Sequence, residues 1–91
     1  MTTENAIILV NNVAVWSNAT AVFTPTALQI LIPNGTGGSD VVATFSGSLI
    51  SNYSGATQIV TSVDGITDQT GSQFNEIRVI PKAGGCGCGR R

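Results

Sequence analysis

The sequence predicts an all-β fold, a small antiparallel sandwich or barrel of about seven or eight short strands. Three observations carry that expectation. No long stretch shows the 3.6-residue apolar period of a helix, and the body is dominated by Thr, Ser, Val, Ile, Asn and Gly, which lose side-chain freedom, compete for backbone hydrogen bonds or cost backbone entropy in a helix. Short apolar runs recur along the chain, separated by residues with turn chemistry. The length of 91 residues admits one core, and a 42% hydrophobic, 10% charged composition, against about 25% charged in an average domain, excludes a disordered chain.

In chain order the predicted strands are residues 7–10, 13–16, 20–23, 28–32, 41–45, 49–50, 58–63 and 77–80. Asn11-Asn12 separates the first two, Thr24-Pro25 precedes the fourth, and a Gly-rich loop over 33–40 precedes the fifth. Turns are predicted at 52–55, at Asp64-Gly65 and at 69–72. Alternation places Leu28, Ile30 and Ile32 on one face, Val41, Ala43 and Phe45 on another, and Ile59 with Val63 on a third, all facing the core. In the last strand Ile77 and Val79 point inward, while Glu76 and Arg78 form a polar face able to pair with a neighbouring strand. Runs 7–10 and 13–16 do not alternate cleanly, which predicts strands sandwiched in the core or covered by another subunit.

Charge is sparse and sorted. Glu4, Asp40, Asp64, Asp68 and Glu76 carry all the negative charge, no basic residue precedes Arg78, and Lys82, Arg90 and Arg91 follow it. An acidic body with a basic end favours one subunit's tail lying on a neighbour's body, near Asp40, Asp64 or Asp68. The same scarcity argues for assembly: strand edges in soluble monomers are blunted by Lys, other charges, Pro or bulges, and this chain has one Lys. Pro25, Pro33 and Pro81, or closure into a barrel, are the alternative protections. Nucleic acid is not an expected partner, because the body offers no basic face.

The segment 82–91 reads as a C-terminal arm rich in Gly, Cys and Arg, appended to a domain over 1–81, with a maximum reach of about 33 Å. Cys86 and Cys88 are its reactive groups. They are read as reduced thiols, as links between subunits, or as half of a metal site shared with a second tail, since a structural zinc takes four ligands. No cofactor is predicted.

Catalysis is not expected. The chain has no His, so its many Ser and Thr hydroxyls have no imidazole to activate them, and no phosphate loop or carboxylate pair is present. Asp64-Gly65-Ile66-Thr67-Asp68 has some ingredients of a calcium loop but lacks its closing Glu, and is read as a hairpin turn. Trp16, Phe23, Phe45, Tyr53 and Phe74 are too scattered for a stacking platform and are read as core. The sequons at Asn18, Asn34 and Asn52 are read as chance in a chain rich in Asn, Ser and Thr. No leader pattern and no apolar run of membrane-spanning length is found, so a soluble chain made in the cytosol is expected.

The segment Ala27-Leu28-Gln29-Ile30-Leu31-Ile32-Pro33-Asn34-Gly35-Thr36-Gly37-Gly38, set in a His-free chain of short Thr/Ser/Asn/Gly-rich strands, resembles the small all-β accessory proteins of tailed-phage virions. The likeness is one of style over residues 5–81. It implies a structural subunit, capsid-decorating (cement) or tail-associated, made in the host cytoplasm without a signal peptide and resident in the virion. Its implied partners are itself, as a trimer or other cyclic oligomer, and a capsid or tail reached by the arm. Two other classes remain open from the residues: a receptor- or carbohydrate-binding module contacting its ligand through loop 33–40, and a thiol or metal carrier using Cys86 and Cys88.

Overall fold

The computed structural model describes residues 2–82. Seven antiparallel strands make up the chain: β1 (Thr2–Val10), β2 (Val13–Thr24), β3 (Ala27–Pro33), β4 (Ser39–Ser46), β5 (Leu49–Ser54), β6 (Thr57–Asp68) and β7 (Gln73–Pro81). They form one sheet in the order β4-β3-β2-β1-β7-β6-β5. A second contact, Phe45 with Asp68 and Ser46 with Thr67, joins β4 to the far end of β6. The sheet therefore closes on itself as a barrel, with β5 continuing where β4 leaves off along the same edge of β6. Closure satisfies most strand edges by pairing, which is how a chain with few charges protects them.

Turn chemistry acts largely as expected. Asn11 and Asn12 both have positive φ (50° and 69°), the conformation of a two-residue type I′ hairpin turn, and Asn tolerates it at low steric cost. The turn after β2 is set by Pro25, with the Thr24 hydroxyl accepting from the Ala27 N–H at 3.1 Å. The predicted runs 13–16 and 20–23 are one long strand, β2. β1 and β2 slip register three times, once on β1 around Glu4 and Asn5 and twice on β2 around Asn18 and Val15. Asn5 and Asn18 take positive φ (54° and 58°) there, and the extra residues bend and twist the hairpin around the barrel.

The interior holds Ile8, Leu28, Ile30, Phe45, Val60, Ile66, Ile77 and Val79, all essentially inaccessible to solvent. Leu28, Ile30, Ala43, Phe45, Ile77 and Val79 face inward as predicted, and Ile32 packs against them half-buried. Four inward assignments are corrected. Val41 is 51% exposed because the bulge between Ile30 and Leu31 of the β3–β4 ladder pairs it with outward-facing Leu31. On β6 the phase is one residue off: Gln58 and Val60 are buried, Ile59 is only half-buried, and Val63 is 87% exposed. Gln58 faces inward because its Nε2 donates to Ser51 Oγ at 2.9 Å. Tyr53 is exposed on β5, whereas Phe45 is buried and Trp16, Phe23 and Phe74 pack on the core.

Three further expectations change. Run 7–10 does alternate, with Ile8 and Val10 inward; run 13–16 is largely exposed. Asp64-Gly65 is not a hairpin: it lies in a wide bulge inside β6, where Thr61 pairs with Glu76 and Ile66 with Phe74. Gly65, with φ of +88°, makes that bulge sterically accessible. Glu76 and Arg78 pair with each other along one face of β7 at 2.5 Å, not with a neighbouring strand.

Candidate functional site

Between Glu4 and Asp40 the sequence has no Asp, Glu, Lys or Arg, so β1 beyond its first residues, all of β2 and all of β3 are uncharged. β2 is the longer partner of this group. Its ladder with β3 runs only from Thr20–Leu31 to Thr24–Ala27, whereas its ladder with β1 extends to Val10–Val13. Val13, Ala14 and Trp16 consequently pair with β1 on one side, with Val15 bulged out between them, and residues 13–17 pair with no strand on the other side, among the described residues. Val13 is 62% and Val15 48% exposed along this open edge.

Beside the edge lies a crevice of about 200 Å³, lined by Val10, Val15, Trp16, Val42, Ala43, Phe45 and Phe74 together with the polar residues Asp68 and Gln69. Phe45 sits between two edge-to-face partners, Trp16 at 6.4 Å and Phe74 at 5.7 Å between ring centroids. These contacts hold the aromatic floor in place.

The polar side chains around the crevice are committed to structure. Asp68 Oδ1 accepts from the Thr70 hydroxyl at 2.7 Å and from the backbone N–H groups of Thr70 and Ser72, each at 2.9 Å. The Thr70 hydroxyl, with help from the backbone donors of Ser72, Thr70 and Gly71, holds the carboxyl below the ordinary Asp range despite some opposing desolvation. Gln69 next to it closes a second strand edge: its Oε1 accepts from the Thr44 N–H at 3.0 Å and its Nε2 reaches the Val42 carbonyl at 3.5 Å. The carboxamide stands in for the peptide group of a missing neighbour, so the outer edge of β4 is blocked at its centre.

Asp40 accepts from Asn34 Nδ2 at 3.3 Å, and Asn34 Oδ1 in turn accepts from Thr36 N and Oγ1, so loop 33–40 is tied to itself. Asp64 lies exposed on the β6 bulge. Lys82 donates through Nζ to Asn18 Oδ1 at 2.6 Å and through its backbone N–H to Asn5 O at 2.9 Å. The structure thus scatters Asp40, Asp64 and Asp68 over two turns and a bulge rather than gathering them. Arg90, Arg91, Cys86 and Cys88 lie outside the described residues. Among the described residues no group of three or more Cys, Asp or Glu could hold a metal ion, and no helix is long and apolar enough to cross a membrane.

Sequence reasoning missed Gln69, Asn11 and the overhang of β2. Asn11 Oδ1 accepts from the N–H groups of Asn75 at 2.9 Å and Glu76 at 3.2 Å, fastening the β1–β2 turn to β7. Turn residues of these types were visible, but the distant strands they serve are not encoded locally. The overhang had one signal, the unalternating 13–16 run. No family model matches the chain, and the searches of curated proteins and of solved structures found no match.

Proposed function

We propose that the chain is a non-catalytic structural subunit of a larger assembly. The observation that carries this reading is the number of large apolar side chains left exposed on so weakly charged a domain: Val13, Val15, Val41, Val42, Ile50, Tyr53 and Val63. Single exposed apolar residues are ordinary, but here they accompany a net charge of −1 and an open strand, so neither repulsion nor gatekeeping charges keep copies apart. The resemblance to tailed-phage accessory proteins gives the assembly its specific form, a capsid-decorating or tail-associated subunit made of several copies. The ligand-module reading is less well supported, since the polar groups of loop 33–40 largely bond one another.

Sedimentation velocity of the full chain from low to high micromolar concentration tests the reading. A discrete species heavier than the monomer, growing with concentration, is the expected result. A chain that stays monomeric throughout at low salt defeats it.

A further inference from the structure

We infer that Asn34 is a self-modification site: the backbone nitrogen of Gly35 attacks its carboxamide, and the resulting deamidation opens loop 33–40. The inference goes beyond the assembly reading and does not depend on it.

The chain has seven asparagines, and Asn34 alone is followed by Gly. The other six lie in strands or in the β1–β2 turn and precede Ala, Asn, Val, Tyr or Glu. A side chain on the following residue crowds the approach of its nitrogen to the preceding carboxamide, and Gly has none. Gly35 has φ of +82°, and a Cβ added there would meet nothing, so this peptide stands open. Residues 34–40 are all exposed, which gives water and hydroxide access to the site.

The bonds around the carboxamide prepare the reaction. The Thr36 N–H and hydroxyl both donate to Asn34 Oδ1, at 3.0 and 2.6 Å. The first closes an Asx turn, which folds the carboxamide back over the Gly35 peptide. Together they draw electron density from Cγ and hold the oxygen on which negative charge develops during attack. The Gly35 N–H has no hydrogen-bond partner among the described residues, so base can reach its proton.

The step balances within the loop and water. Hydroxide takes the Gly35 amide proton, and the nitrogen bonds to Asn34 Cγ. The Cγ–Nδ2 bond breaks, and Nδ2 leaves as ammonia with a proton from water. Water then opens the cyclic imide at either carbonyl, giving aspartate or, with the main chain rerouted through the side-chain carbon, isoaspartate. Nothing is oxidised or reduced.

The product changes the loop. In the intact chain Asn34 Nδ2 donates to Asp40 Oδ1 at 3.3 Å, and the Asn34 N–H donates to Gly38 O at 3.1 Å. Deamidation sets a carboxylate oxygen in place of the Nδ2 donor, opposite the Asp40 carboxylate, and an attraction becomes a like-charge repulsion. It also adds one negative charge to a chain whose net charge is −1. The β3–β4 connection thereby loses a tie between its two ends.

The test ages the full chain at neutral and mildly alkaline pH, both folded and unfolded in guanidinium chloride. Ammonia release and the mass increase of deamidation give the extent, protein isoaspartyl methyltransferase labels the product, and electron-transfer fragmentation locates it. The expected result is isoaspartate confined to position 34, formed in the folded chain at least as fast as in the unfolded one, at a rate rising with hydroxide concentration. Gly35→Ala and Thr36→Val should each slow it several-fold, with far-UV circular dichroism checking the fold. Asn34→Asp, which carries the product's charge, should speed amide hydrogen exchange at position 34. A folded chain that reacts far more slowly than the unfolded one shows that the loop protects Asn34 and overturns the inference, as does product spread over the other asparagines. An unchanged rate in Thr36→Val overturns the preparation by Thr36, and unchanged exchange in Asn34→Asp overturns the opening of the loop. Should a variant fail to fold, the folded-against-unfolded comparison in wild type decides alone.

Discussion

Asp68 illustrates how a charged residue that looks available for a partner is already used within its own turn. Its lowered pKa fixes the sign of a pH effect: the folded state prefers the ionised carboxylate, so the stabilisation is fully present above the ordinary Asp value near 3.8 and is lost as pH falls through the lower folded value. Asp68→Ala should therefore lower the melting temperature at neutral pH, and the gap to wild type should narrow in acid. Thermal melts across the pH range check this; a gap independent of pH would detach the turn from the carboxylate's charge. Gln69 makes a second residue-scale prediction. Gln69→Ala removes two hydrogen bonds at an exposed edge, a loss of about 0.5–1.5 kcal/mol, and should expose the Thr44 amide to rapid exchange. Protection at Thr44 that survived the substitution would show that another group closes β4. Neither role was legible in the sequence, because Asp and Gln beside Thr70-Gly71 read as generic turn residues whatever strand lies behind them.

At the scale of the element, the places where strands break regular pairing matter most. Gly47 links β4 to β5 with φ of +148°, and a Cβ added there would stand 3.1 Å from the Gly65 carbonyl in the β6 bulge. The obstacle is backbone, and it cannot move aside without disturbing the bulge. Gly47→Ala should cost about 1–3 kcal/mol, combining the strained conformation with the close contact. Urea unfolding measures it, and an unchanged midpoint would mean that the bulge is soft. These irregularities also mark the limit of sequence reading. Strand existence and most turns follow from local composition, as at Asn11-Asn12 and Pro25, since φ preference is a property of the residue itself. Facing direction depends on long-range pairing. The β6 phase was hidden because a polar residue, Gln58, takes an inward position and finds its partner on β5, while the bulge carrying Asp64-Gly65 resets alternation before Ile66. The unalternating 13–16 run was legible as unusual, and its meaning as an overhanging edge needed the end of β3 to be located.

For the whole molecule, two physical accounts of assembly make opposite predictions about salt. If copies were held by the basic end lying on Asp40, Asp64 or Asp68, each exposed pair would contribute only about 0–1 kcal/mol, and raising salt from about 0.1 to 1 M would shorten the screening length from about 10 to 3 Å and weaken it further. Asp40 and Asp68 are moreover already hydrogen-bonded within their own loops. If copies are held through exposed apolar side chains such as Val13, Val15 and Val42 and the crevice beside them, salt has little charge to screen, and strongly excluded salts such as sulfate favour burial of apolar surface. The expected outcome is an association midpoint that is unchanged in sodium chloride and shifted to lower concentration in sodium sulfate. Sedimentation velocity in matched buffers reads both. Dissociation at high chloride would transfer the assembly from apolar contact to charge pairing.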